Sequence, residues 1–231
     1  MSEVASTDLI SLYEGSDYTS RYHDSAGTRI LRLLDFVKFT NKDRVLDIGC
    51  GNGLLLPEII EKIKYYDGID FSKAFIKEAE TRGRVGSLPR KKYNYHVGDV
   101  IEFCKDKTGY DKVFALDFTE HVNNQEFKDI FSAVRKSMKK GGQLIAHTPN
   151  KDFLLERLKS EEIKIKKQGH IGLRNGEEYK RLLKQVGFKK VEVIPLSHYV
   201  SILKPLHIFS YIPVSKVSTL FQARLLIICE A

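Results

Sequence analysis

With 231 residues, 42% of them apolar, the chain suits one α/β domain with a full core, or such a domain with a modest appendage. Three widely spaced cysteines, Cys50, Cys104 and Cys229, argue against a disulfide framework or a C-x-x-C zinc site and fit a reducing compartment. The net charge of +8 invites a nucleic-acid partner, but basic residues alternate with acids on helical faces and lack interleaved aromatics; solvated faces account for it best, with an anionic small molecule or membrane surface as the alternative.

The opening "MSEVASTDLI" lacks the basic and apolar regions of a secretory signal. The most apolar window, 199–214, is shorter than the roughly 18 residues of a membrane span and is broken by Lys204, Pro205 and His207. A cytoplasmic protein is expected. Tyr13, Tyr18, Arg21 and Tyr22 are dense enough to close over a ligand as a lid, or to pack on a sheet edge.

Residues 29–39, with Ile30, Leu33, Leu34 and Val37 at helical spacing, predict a helix. "RVLDI" (44–48) reads as a buried strand and "LLLPEIIEKIK" (54–64) as a helix with Pro57 in its first turns. A second strand is predicted at 65–71, then a helix that Ser72 can cap, then strands at 92–99 and 110–118. Phe127, Ile130, Phe131, Val134 and Met138 share one side of a helix predicted over 124–142 and stopped by Gly141 and Gly142. Strands at 143–150, 189–196 and 222–231 and a helix at 175–188 complete the order.

This alternation predicts an α/β, Rossmann-like fold: a seven-stranded, mostly parallel sheet with helices on both faces and an antiparallel C-terminal edge strand. A single domain over 1–231 is expected, with 1–28 as an N-terminal cap or lid, 29–150 as the cofactor-binding core and 151–231 as the acceptor-side half. Ligands belong at the carboxyl ends of the strands.

There, "DRVLDIGCGNGLLLPEI" places Gly49, Gly51 and Gly53 where a strand turns into a helix. Glycines allow positive φ and let a ligand lie on the backbone. The spacing is G-x-G-x-G, unlike the G-x-G-x-x-G of nicotinamide dinucleotide folds, and Asp47 just before it disfavours a phosphate ligand. Asp70, ending the second strand, can accept from ribose hydroxyls, and Asp99, after the third, from an exocyclic amine of adenine.

"VLDIGCGNG", "GIDFS", "GDV" and "YDKVFALDFTEHV", in this order, resemble motifs I to IV of class I S-adenosylmethionine-dependent methyltransferases, over roughly residues 40 to 150. The resemblance implies S-adenosyl-L-methionine as cofactor. Gly49, Gly51, Gly53 and Asp47 would then hold its methionine part, Asp70 the ribose and Asp99 the adenine. Ile48, Phe71 and Val100 would be apolar walls, and Cys50 and Asp117 fall in the same group, Cys50 chiefly as packing.

Methyl transfer from a sulfonium needs an aligned nucleophile and, for some acceptors, a base. His121 in "LDFTEHV" is the natural base, or else a helix-start residue packed near the cofactor. Asp117, Glu120 and His121 are similar to an acidic-x-x-Glu-His pattern of ubiquinone-pathway O-methyltransferases that is associated with a divalent metal; Glu120 as a helix cap is the alternative. Such a set suits Mg²⁺, Mn²⁺ or Zn²⁺. His170 could touch substrate, His147 reads as a hydrogen-bonded core residue, and Asn150 could reach substrate or cap a helix. The apolar segment 197–221 covers the sheet edge, lines a greasy pocket or makes peripheral membrane contact.

The expected protein methylates a small-molecule acceptor, most readily at a hydroxyl oxygen, as a monomer or homodimer. N-methylation, a sugar or lipid-intermediate acceptor, and a non-catalytic cofactor-binding regulatory subunit are the alternatives.

Overall fold

β1 (Arg44–Ile48) is buried along nearly its whole length, as a strand flanked on both sides must be. In the computed structural model, which describes residues 26–154, 156, 171–197 and 219–231, seven strands form one sheet in the order β3-β2-β1-β4-β5-β7-β6. The others are β2 (Tyr65–Asp70), β3 (Tyr93–Val97), β4 (Tyr110–Leu116), β5 (Met138–Pro149), β6 (Lys189–Leu196) and β7 (Arg224–Glu230). The fold is the Rossmann-like one expected. The described residues fall into two compact units, one running to Phe114 and including Lys136–Gly142, the other Ala115–Arg135 and Gln143 onward.

In the first unit β1 pairs in parallel with β2 and β4, and β2 with β3. Ile48 lies beside Ile69 and Asp70 beside Val97, which brings the carboxyl ends of β1, β2 and β3 to one edge. Four described helices belong here: α1 (Ala26–Leu34), α2 (Leu56–Ile59), α3 (Lys73–Val85) and α4 (Val100–Lys105). Val45, Leu46, Ile59, Ile69 and Phe114 form part of its core.

The second unit pairs β7 antiparallel with both β5 and β6, so the C-terminal strands make an antiparallel pair at that side of the sheet. α5 (Asn124–Ser137), most of which lies here, and α6 (Gly176–Val186) supply Phe127, Phe131, Leu182 and Leu183 to a core shared with Leu226 and Ile227.

Several boundaries differ from the sequence reading. α1 stops at Leu34 instead of reaching 39: the Phe36 and Val37 N–H groups turn to the Leu33 and Leu34 carbonyls (3.1 Å each), and beyond them Phe39 stacks on Phe114 with ring centroids 6.1 Å apart. The helix predicted over 54–64 is one α-turn followed by a 3-10 turn, Ile60–Lys62. α5 gives way to β5 at Met138: Gly142 meets the carbonyls of Tyr110 and Asp111 so closely that a Cβ there would lie 3.1 Å from each. α4 went unpredicted; Asp99 starts it, its Oδ1 accepting from the Ile101 and Glu102 N–H groups. Ser72 caps α3 as expected, accepting from the Phe75 N–H.

No helix among the described residues is long and apolar enough to cross a membrane. Tyr13, Tyr18, Arg21, Tyr22, His170 and nearly all of the 197–221 segment lie outside the described residues.

α6 carries the most complete cap. Glu178 N–H donates to Asn175 Oδ1 (3.0 Å), Asn175 N–H donates to Glu178 Oε2 (2.9 Å), and Gly187 closes the helix at φ 99°. Asn175→Ala is expected to cost about 1 kcal/mol. Urea denaturation checks it, as a lowered midpoint with an unchanged slope.

Candidate active site

The glycine loop begins where β1 ends and is folded back onto β2. Cys50 N–H donates to the Ile69 carbonyl (3.1 Å), Gly51 N–H to Asp70 Oδ2 (3.0 Å) and Gly53 N–H to the Cys50 carbonyl (3.0 Å). Closing so tight a loop takes Gly49, Gly51 and Gly53 to φ of 65°, 51° and 74°, the left-handed region where a Cβ is strained. Gly51 and Gly53 differ in surroundings. A Cβ on Gly53 would overlap the Tyr95 hydroxyl, whereas one on Gly51 would meet nothing within 4 Å. The loop thus rests on an aromatic floor and exposes bare backbone at Gly51.

Three carboxylates stand at this edge. Asp70 is buried, its Oδ1 accepting from the Ser72 N–H (2.9 Å) as Oδ2 accepts from Gly51. Burial pushes its carboxyl up, opposed by the N–H groups of Ser72, Gly51 and Phe71. Among the described residues Asp47 takes one hydrogen bond, from the Tyr66 hydroxyl to Oδ2 (2.7 Å). Burial pushes it up to about 7, with the Tyr66 bond opposing and the Asp70 charge adding. Asp99 is exposed and spends only Oδ1 on its helix cap, so Oδ2 stays available.

Of the apolar residues singled out, Phe71 is 44% exposed, Val100 is buried and Ile48 is sealed in the sheet. Cys50 is buried, and burial beside Asp47 and Asp70 pushes its thiol well up, which leaves it inert at neutral pH.

Asp117, Glu120 and His121 belong to the second unit. Asp117 sits at φ 52°, a strained position for a non-glycine residue. Its N–H donates to the His147 carbonyl (2.8 Å), while Oδ1 faces His147 Nδ1 (3.0 Å) and accepts from Arg224 (3.2 Å). His147 is buried and hydrogen-bonded, in keeping with the sequence reading. Glu120 is 2% exposed and accepts from Thr148 Oγ1 (3.1 Å). Burial pushes its carboxyl up to about 8, reinforced by the Asp117 charge and opposed by Arg224 and the Thr148 bond. His121 ends a 3-10 turn, Thr119–His121, and is half-buried. Among the described residues no group of three or more His, Cys, Asp or Glu is arranged to hold a metal ion, Asp117, Glu120 and His121 included. Asn150 donates its side-chain amide to the Gln222 carbonyl (2.8 Å), while its Oδ1 accepts from the Asp152 N–H (3.2 Å).

Sequence reasoning missed Tyr66, Arg224, Tyr179 and Arg174. Tyr66 lies on β2 and Arg224 stands 107 residues from Asp117, so no local motif announces either pairing.

Residues 18–193 match a family described as "Methyltransferase domain". Ubiquinone biosynthesis O-methyltransferase of Pelagibacter ubique is 34% identical over 108 residues, and that of Xanthomonas oryzae pv. oryzae 31% over 109. Each match takes in 47% of this chain and only 42% and 44% of the relatives' own length, less than half of each. Among solved structures, a SAM-dependent methyltransferase from Archaeoglobus fulgidus superposes with a TM-score of 0.67 at 21% identity, covering 93% of this chain and 99% of that one. Haemonchus contortus phosphoethanolamine N-methyltransferase 2 in complex with S-adenosyl-L-methionine gives 0.65 at 19%, covering 88% and 52%.

Two buried carboxyls have folded values far above their ordinary ones. Between the unfolded and folded values the native chain keeps protons that the unfolded chain has released. Stability therefore falls as pH rises, until about 7 for Asp47 and about 8 for Glu120. Glu120→Gln keeps a neutral acceptor for Thr148 and is expected to flatten this decline, so that the remaining slope ends near pH 7. Thermal unfolding of both proteins from pH 5 to 9 measures it.

Proposed function

Because the chain belongs to the methyltransferase domain family, we propose that it binds S-adenosyl-L-methionine on the glycine loop and transfers its methyl group to a small-molecule acceptor, at a hydroxyl oxygen. The observation that carries this is Gly51: left-handed backbone, its N–H fixed by Asp70, with open space where a side chain would stand. The donor set fits the cofactor. Asp47 is a buried carboxylate whose one hydrogen-bond donor among the described residues is a neutral phenol, an unmet demand that an ammonium group satisfies. Asp70 and Asp99 keep acceptor capacity for hydroxyl and amine donors.

When bound, the cofactor supplies an electrophilic methyl group, so the protein's work is alignment and proton removal. Asp47 and the loop would hold the methionine end, Asp70 the ribose and Asp99 the adenine. His121 would take the acceptor proton, its imidazole being the side chain suited to that near neutral pH. The O-methyltransferase relatives favour oxygen as the acceptor atom.

Titration calorimetry with S-adenosyl-L-methionine and S-adenosylhomocysteine tests the cofactor site. Gly51→Ala adds a methyl to the open space and is expected to weaken binding at least tenfold, about 1.4 kcal/mol, while unfolding stays cooperative. Wild-type affinity in that variant, or no binding by the folded parent, would overturn the assignment. The base is tested apart, by methylation across a panel of phenols and alcohols: His121→Gln should bind S-adenosylhomocysteine normally and lose at least 100-fold in turnover.

A further inference from the structure

Arg174 is 2% exposed, and none of its hydrogen-bond acceptors is a carboxylate. Nε donates to Asn124 Oδ1 (2.8 Å). One terminal nitrogen donates to the carbonyls of Thr119 (2.8 Å) and Gly172 (2.7 Å), the other to that of Val122 (2.7 Å). Its guanidinium carbon lies 4.8 Å from the Phe127 ring centroid and 5.8 Å from that of Tyr179, contacts that fix its plane.

Burying a cation without an anion costs several kcal/mol. An apolar side chain of that length would pack against Phe127 and Tyr179 more cheaply. What arginine alone adds is a planar fork whose donors reach several carbonyls at once. Two of those carbonyls, of Thr119 and Val122, belong to one short piece of chain; the third, of Gly172, lies two residues before Arg174 itself. Thr119–His121 is a single 3-10 turn, too short to satisfy its own acceptors. Arg174 takes the carbonyl of Thr119 at its start and of Val122 just past its end, and Gly172 N–H donates to the Glu120 carbonyl (2.9 Å) between them.

The approach is close enough that a Cβ on Gly172 would overlap the Val122 carbonyl. Side chains complete the hold: Thr119 Oγ1 meets the Tyr179 hydroxyl (2.8 Å), and Thr148 Oγ1 lies within reach of both Tyr179 (3.2 Å) and Glu120 (3.1 Å). The backbone is therefore pinned on either side of His121.

We propose that Arg174 is the positioning residue of this turn: it acts through the backbone at Thr119 and Val122 to set where the His121 imidazole stands. The inference rests on the reading of His121 as the acceptor-side base. Arg174 touches neither reacting group; it fixes the backbone from which one of them projects.

The full chain labelled with ¹³C-histidine provides the test. The His121 ring signal is identified by its loss in His121→Gln, then followed from pH 5 to 9 in wild type, Arg174→Lys and Arg174→Gln. The lysine variant keeps charge and stem and so guards against a variant that fails to fold. The expected result in both is a broadened or doubled His121 signal with a displaced titration midpoint, alongside S-adenosylhomocysteine affinity within about twofold of wild type, since a twofold change is only about 0.4 kcal/mol. With an acceptor that is turned over, the same variants lower kcat by about 100-fold and leave the KM for S-adenosyl-L-methionine in place. Variants that lose thermal stability yet show a wild-type His121 titration curve and linewidth would overturn the proposal, because a purely structural arginine gives that pattern. Failure of the base reading looks different: methylation surviving in His121→Gln, whatever the ring signal does.

Discussion

One carboxylate organises the glycine loop. Asp70 holds the Gly51 N–H with one oxygen and the Ser72 N–H with the other, joining the loop after β1 to the start of α3. Without it, an inward-turned N–H in a left-handed turn would lack an acceptor, and an orphaned amide costs more than a typical hydrogen bond contributes. The constraint propagates. With Gly51 tied to β2, the chain reaches Gly53 directly above Tyr95, where no side chain fits. Tyr95 in turn packs edge-on against Tyr66, ring centroids 5.8 Å apart, and Tyr66 is the phenol that donates to Asp47. Loop geometry, aromatic floor and the state of Asp47 are one connected arrangement.

Two buried ionisable groups, one in each unit, behave in opposite ways. In the first, Asp47 is an acid answered by a single phenol, so burial lifts its proton affinity to near neutrality. A carboxyl in that condition changes state when a cation arrives beside it, which couples ligand binding to proton release. In the second, Arg174 cannot surrender its charge, because guanidinium stays protonated throughout the accessible range. It is satisfied by fixed carbonyl dipoles instead. On the proposed reading, the first arrangement would respond to a ligand and the second would hold geometry whatever binds.

How much could be read from the chain follows from this difference. The glycine spacing, Asp70 at the end of β2, the Ser72 cap and the Asn175–Gly187 helix are written in contiguous residues, because each solves a local backbone problem. The order of strands follows from alternating apolar runs. Periodicity continues through Val37, past the end of α1 at Leu34, and the partner of Phe39, Phe114, lies 75 positions later. α5 was carried past Ser137 because Gly141 and Gly142 look like a helix stop, although Gly142 is dictated by crowding from Tyr110 and Asp111.

The same logic explains why the proposed cofactor side is legible and the proposed acceptor side is not. A cofactor held largely by backbone demands glycines at fixed spacing, and spacing survives in a single sequence. The side proposed for the acceptor is built from tertiary contacts: Asp117 with His147 and Arg224, Glu120 with Thr148, and the turn carrying His121 with Arg174, which is 52 residues from Val122. In the sequence, Arg174 is one more basic residue in a basic half, indistinguishable from the solvated lysines around it. Only its burial, and the identity of the carbonyls it holds, separates a residue that pins the Thr119–Val122 turn from one that adds to net charge.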